Sequence, residues 1–169
     1  RDAIHSYGHR IPQGATRHPE TGRLWIHEHG PRGGDEINIP EAGANFGWPR
    51  ATYGREYHGP EIAPDEHGEG LVGPIHQWTP SIAPSGMAFY SHDRFPQWQG
   101  DLFVGALALT HLAHLEMDGR KVVSERKLLQ EQGWRIRAVR QGPEGYLYVL
   151  TDHGNGRLLR IAPAGEATQ

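Results

Sequence analysis

HPETGRLWIHEHG (18–30), FPQWQGDLFVGAL (95–107) and GPEGYLYVLTDHG (142–154) decide the fold. Each places a Gly or Gly-Asp turn before four residues that suit a pleated, half-buried surface: Leu24–His27, Leu102–Gly105 and Leu147–Leu150. A second candidate strand follows each one, at Glu36–Ile39, at His111–Met117 before the turn Asp118-Gly119, and at Arg157–Ile161. Strand, tight turn and strand is the signature of an antiparallel hairpin, and no helical segment of crossover length lies between the strands. The first strands of the three copies, at Leu24, Leu102 and Leu147, start 78 and 45 residues apart. The second interval lies in the range of about 40–50 residues that one propeller blade occupies.

The longer first interval is a blade with an insertion. Residues 40–80 are rich in Pro, Gly, His and aromatics and show little periodicity, which predicts a functional loop above the sheet and not core. The reading is therefore all-β, with about three blades of a β-propeller in a single partial domain spanning 1–169. Propellers close with about four to eight blades, so three leave open sheet edges through which copies could associate. A three-sheet open solenoid and a sandwich are the alternatives. The recurrence of the repeats in one register along the chain weighs against both.

Composition sets outer bounds. The 23 Gly and 13 Pro in 169 residues favour short elements joined by turns. A net charge of -3, with no Lys/Arg run beyond two residues, leaves no basic face for nucleic acid. The longest apolar stretch, Leu102 to Leu109, is too short for a membrane span. Cysteine is absent, so thiolate chemistry is excluded. The chain opens on Arg1 and its only methionines are Met87 and Met117, so a longer precursor is expected, with any targeting signal in its remainder.

The most informative stretch for function is GHRIPQG (8–14) followed by EHGPRGGDEINIPEAGANFGWP (28–49). Together with PSIAPSGMAFY (80–90), GDLFVGAL (100–107) and RIRAVRQGPEGYLYVLTD (135–152), it closely resembles the aldose sugar dehydrogenases of the glucose/sorbosone dehydrogenase family, nearly end to end. The resemblance implies a six-bladed propeller that binds pyrroloquinoline quinone (PQQ) and calcium and oxidises aldose sugars at the anomeric carbon to the lactone. It also implies an external electron acceptor and a periplasmic or secreted location.

Individual residues acquire roles on that basis. A Gly-Pro step leaves a carbonyl without a neighbouring donor, and calcium takes carbonyl as readily as carboxylate oxygen. Gly30 and Pro31 are accordingly the implied ligands of a calcium that polarises the quinone, with a second calcium position near Glu36 and the backbone at Phe46. The quinone carries three carboxylates and requires fixed cations. Arg10, Arg135 and Arg137 are the candidates, since alternation around Ile136 turns both RIR guanidiniums to one face of a strand. Gln13, Tyr57 and Ser81 match positions near the cofactor, and Ala106, Leu107 and Ala108 form its wall.

Three departures stand out. Ile11 replaces an amide in GHRIPQG, Ala108 replaces an amine in GALA, and Ala138 replaces a carboxylate in RIRA. None of the twelve histidines matches the family's catalytic base, which lies in the N-terminal blades, so no catalytic residue is assigned. A non-catalytic propeller that binds a sugar or a protein partner is the second reading. A metal hydrolase using His27, His29 and Glu36 is the third, against which His27-Glu28-His29 reads as an ordinary strand. Trp25, Trp98 and Tyr148 are expected to fill blade cores.

Overall fold

A computed structural model describes residues 3–59, 62 and 68–166. Its elements are eleven strands and two single-turn 3₁₀ segments, Pro96–Trp98 and Gln130–Gln132, with no α-helix among the described residues. The strands form two four-stranded sheets and one three-stranded sheet, in each of which sequential strands are neighbours. Such meanders are the blade unit of a β-propeller, as the repeats predict. The chain groups into two compact units, one ending at Pro84 and the other beginning at Ser85.

The first unit holds β1 (Pro12–Arg17), β2 (Leu24–Glu28), β3 (Asp35–Asn38) and β4 (His76–Trp78). Strands β2 and β3 fall where Leu24–His27 and Glu36–Ile39 predict, to within a residue or two. Their pairing sets Ile26 against Asn38, His27 against Ile37 and Glu28 against Glu36. The core of the unit is built on the indole of Trp25, with Ile37, Ile39, Phe46, Trp78 and Ile82. The 40–80 insertion therefore departs from its expected role, because Phe46, Ala51 and Trp78 are buried and β4 closes the sheet. Its residues 60, 61 and 63–67 lie outside the described residues.

The second unit carries most of β5 (Pro84–Phe89), then β6 (Leu102–Ala106), β7 (His111–Asp118) and β8 (Lys121–Leu128) in one sheet. The other sheet is β9 (Ile136–Gln141), β10 (Leu147–Thr151) and β11 (Leu158–Ile161). The predicted turn Asp118-Gly119 is a hairpin that sets Asp118 against Lys121, with Gly119 at φ 59° supplying the positive dihedral that such turns require. Strand β6 is buried along its whole length, whereas β8 alternates and is charged, as an edge strand in water must be.

Between the two sheets lies one aliphatic and aromatic cluster, with Tyr90, Phe103, Leu112, Ile136, Val139, Leu147 and Val149 buried. Trp98 packs on its flank, stacked on Phe95 with ring centroids 4.2 Å apart. The sheets approach so closely that a Cβ at Gly86 would stand 2.5 Å from the Ala138 Cα, which is why β5 needs glycine there. Tyr148 departs from its expected place in the core. It is half-buried, lines a cavity of about 540 Å³ with Leu150 and Leu158, and donates its hydroxyl to Glu144.

Candidate functional site

Strand β2 runs directly into the loop Gly30-Pro31-Arg32-Gly33-Gly34, which returns as β3. This return brings Glu28 and Glu36 face to face as a cross-strand pair. Like charges in that position repel and need a proton, a donor or a cation between them. One donor is Asn38, whose Nδ2 gives hydrogen bonds to Glu28 Oε1 at 2.9 Å and to Glu36 Oε2 at 3.1 Å. Glu28 further accepts from the Arg10 backbone N–H at 2.5 Å and pairs with the His9 ring nitrogen at 2.9 Å. Burial, with Glu28 adding repulsion, pushes the Glu36 carboxyl up to about 7 even though the Asn38 bond opposes it.

The loop itself is held by Asp35, which is fully buried. Its Oδ1 accepts from the Gly30 N–H at 2.9 Å, and its Oδ2 accepts from Ser81 Oγ at 2.5 Å and from the Ala83 N–H at 2.9 Å. Ala83 adopts φ 52°, a left-handed conformation that costs about 1 kcal/mol and is fixed by that bond. Gly30 is a steric requirement. A Cβ there would lie 2.1 Å from the Gly33 carbonyl oxygen.

A cavity of about 10 Å³, the room of one water-sized sphere, is lined by Glu28, Gly30, Glu36 and Phe46 together with Arg10 and Trp48. Three of the four expected cation ligands, Gly30, Glu36 and Phe46, thus meet at one cavity, and Pro31 lies outside its lining. The donor set of buried carboxylates and carbonyls fits a hard cation such as calcium. The fit is shared, however. Arg10 Nη1 donates to the Gly30 carbonyl at 3.0 Å and to the His29 carbonyl at 3.1 Å, so its guanidinium occupies one lone pair that an ion at Gly30 would use. Arg10 also lies over the Trp48 ring, 5.2 Å from its centroid.

The other residues of this unit take plainer places. Ser81 spends its hydroxyl proton on Asp35. Gln13 is exposed on β1, and Tyr57 is exposed in the insertion. Ile11 is exposed, and its carbonyl accepts from the His29 N–H. His27 is fully buried, and a ring nitrogen of His29 hydrogen-bonds the Pro84 carbonyl at 2.6 Å.

In the second unit the RIR segment opens β9. Ile136 is fully buried in the core, which turns Arg135 and Arg137 outward together, as alternation predicts. Both guanidiniums meet one oxygen. Arg135 donates to Asp152 Oδ2 through Nε at 3.1 Å and Nη2 at 2.8 Å, and Arg137 Nη2 donates to the same atom at 2.9 Å. Arg135 Nη1 reaches the Leu107 carbonyl at 3.2 Å. Of the three wall residues, Ala106 and Leu107 have buried side chains and offer backbone, while Ala108 is exposed.

Sequence reasoning missed Asp152, Asp35, Glu28 and Asn38. Asn38 had a signal in principle, since period-two alternation puts Glu36 and Asn38 on one face of a strand. Asp152 had none. It lies 17 residues from Arg135 and is delivered by the β9–β10 hairpin.

Antiparallel meanders in sequential order are the blades of a β-propeller. The chain belongs to the Glucose / Sorbosone dehydrogenase family, whose match spans residues 1–160. It is 51% identical over 166 residues to the aldose sugar dehydrogenase YliI of Escherichia coli, covering 96% of this chain and 44% of that protein. The crystal structure of the soluble E. coli aldose sugar dehydrogenase in its apo form superposes with a TM-score of 0.91 at 51% identity, over 96% of this chain and 48% of that one. A PQQ-bound aldose sugar dehydrogenase from Streptomyces coelicolor gives a TM-score of 0.71 at 27% identity, over 93% of this chain and 44% of that one. The chain thus spans about half the length of the relatives it matches.

Proposed function

We infer that the protein oxidises aldose sugars at the anomeric carbon to the lactone with PQQ and calcium, and that this chain supplies part of the cofactor site but no catalytic base. The observation that carries the reading is the fork of Arg135 and Arg137, two cations held within about 3 Å of one oxygen in a chain of this family. PQQ, when bound, supplies the two-electron oxidant and calcium the Lewis acid.

The chain's own residues account for binding and orientation. Arg135 and Arg137 would meet the carboxylates of the quinone through charge-assisted hydrogen bonds, each worth about 1.5–3 kcal/mol. Arg10 adds a third cation. Gly30 and Pro31 would hold the calcium that polarises the quinone, and Glu36 with the backbone at Phe46 a second one. Buried Ile136 fixes the outward direction of its two neighbours. Gln13, Tyr57, Ser81 and the Ala106-Leu107-Ala108 wall complete the expected surroundings. No histidine here stands in for the base, which is expected in the part of the relatives that this chain does not cover. The electrons then pass to an external acceptor, and the location expected for such an enzyme is the periplasm or outside the cell.

The experiment is a titration of the chain with PQQ, with and without calcium, followed by tryptophan quenching. Saturable binding strengthened by calcium supports the reading. Exposed apolar side chains at Ile11 and Ala108, where relatives offer polar groups, favour the alternative of a propeller that binds sugar or protein without catalysis. Absence of PQQ binding would favour that alternative.

A further inference from the structure

The strand pair β9–β10 contains an irregularity at its site end. Leu150 faces Ala138, but Thr151 faces Ile136, so Arg137 is the extra residue of a bulge and has no partner residue across the ladder. Bulges re-aim side chains. One step further on, the Asp152 N–H donates to the Arg135 carbonyl at 2.8 Å, which fixes the Asp152 backbone beside Arg135 immediately beyond the last ladder pair. Asp152 Oδ2 is then the point on which both arginines close.

The charges in this cluster are unequal. One carboxylate faces two guanidiniums, so the fork keeps a net positive charge. Each guanidinium has five N–H donors, more than these contacts use. The Asp152 carboxyl is held below its ordinary value by its hydrogen bond from Arg135 and then by that from Arg137. All three side chains are partly exposed, at 42% and 49% for the arginines and 31% for Asp152. At that exposure, free arginines would sample many rotamers, and ordering each one on binding would weaken a ligand.

We propose that Asp152 is a positioning residue that locks Arg135 and Arg137 into one preorganised cationic fork for a polycarboxylate ligand. The proposal rests on the reading that the fork meets PQQ. A merely electrostatic role would work in the opposite direction, because removing Asp152 raises the local positive charge and would tighten an anionic ligand.

The test uses the full chain as wild type, Asp152→Ala, Asp152→Asn and, as a control on an exposed turn, Asp118→Asn. PQQ binding is measured by tryptophan quenching, and the Arg135 Nε–H is followed by nitrogen-15 NMR. Expected results are a loss of PQQ affinity of about tenfold for Asp152→Ala and a smaller loss for Asp152→Asn, which keeps one acceptor oxygen. Asp118→Asn should bind as wild type. The exchange-protected Arg135 Nε–H signal should vanish in Asp152→Ala, with the melting temperature moving by no more than about 2 °C. Equal or tighter PQQ binding by Asp152→Ala overturns the proposal. If wild type binds no PQQ, the cofactor reading fails and the ligand half of the proposal fails with it. The NMR arm then still decides the fork, since an Arg135 signal retained in Asp152→Ala overturns it too.

Discussion

Asp35→Asn is the perturbation that tests most sharply how the glycine loop is held. The carboxylate is fully buried and accepts from the Gly30 N–H, the Ser81 hydroxyl and the Ala83 N–H. An asparagine of the same shape keeps one acceptor. Its NH₂ group must then face either Gly30 or the pair Ser81 and Ala83, leaving at least one buried donor against another donor. Each buried group left unsatisfied costs about 1–3 kcal/mol, and hydrogen bonds to a charge are worth about 1.5–3 kcal/mol. Releasing Ala83 from φ 52° returns about 1 kcal/mol. The net expectation is a loss of about 3 kcal/mol, which for a chain of this length lowers the melting temperature by roughly 6–12 °C. The assay is urea unfolding followed by circular dichroism, with the midpoint compared at constant slope. Glu41→Gln serves as control, because the exposed Arg23–Glu41 pair at 2.7 Å is worth no more than about 1 kcal/mol. A midpoint for Asp35→Asn matching that control would refute the claim that Asp35 organises the loop.

Three further outcomes are expected. Glu36 has its folded-state pKa raised to about 7, so between its ordinary value of 4.5 and about 7 the folded state holds a proton that the unfolded state has released. Its contribution to stability is therefore fully present below pH about 4.5 and lost as the pH rises through about 7, by no more than about 3 kcal/mol. Unfolding curves in calcium-free buffer should show that fall, Glu36→Gln should flatten it, and a wild-type profile unchanged by the substitution would count against the assignment. In a PQQ titration, Arg137→Ala should weaken binding by about tenfold or more, whereas Arg120→Ala, in the exposed turn after Gly119, should leave it as it was; equal effects would remove Arg137 from the site. Ile136→Ala, at a fully buried position between the second-unit sheets, should cost about 2–5 kcal/mol by urea unfolding, and a cost under about 1 kcal/mol would contradict its place in the core.

The strands were legible where a turn signal preceded an apolar run. Gly22-Arg23 before Leu24 and Gly100-Asp101 before Leu102 each marked a buried strand correctly, because glycine turns and β-branched or aromatic residues are local properties. Strand β1, Pro12–Arg17, carried no such signal. Its PQGATR sequence lacks apolar alternation, and it is a strand because its backbone completes the ladder on β2. The outward pairing of Arg135 and Arg137 could be read from alternation alone. The carboxylate that joins them could not, since Asp152 arrives through hairpin register and a bulge. Likewise the opposition of Glu28 and Glu36 depends on how the five residues between His29 and Asp35 turn, which no periodicity reveals. Long-range pairs of charge are set by register, and register is a property of the sheet.

Under the proposed function this chain would bind PQQ and calcium but lack the base, a combination that steady-state turnover can test. Glucose-dependent dye reduction is compared for the chain with PQQ and calcium, for the same mixture supplemented with the N-terminal half of a relative, and for PQQ with calcium alone. Without a positioned base the rate should fall by about 10²–10⁴-fold, so the chain by itself should not exceed free cofactor, and the added half should restore turnover. Robust turnover by the chain alone would contradict the account and direct attention to His29 and His153.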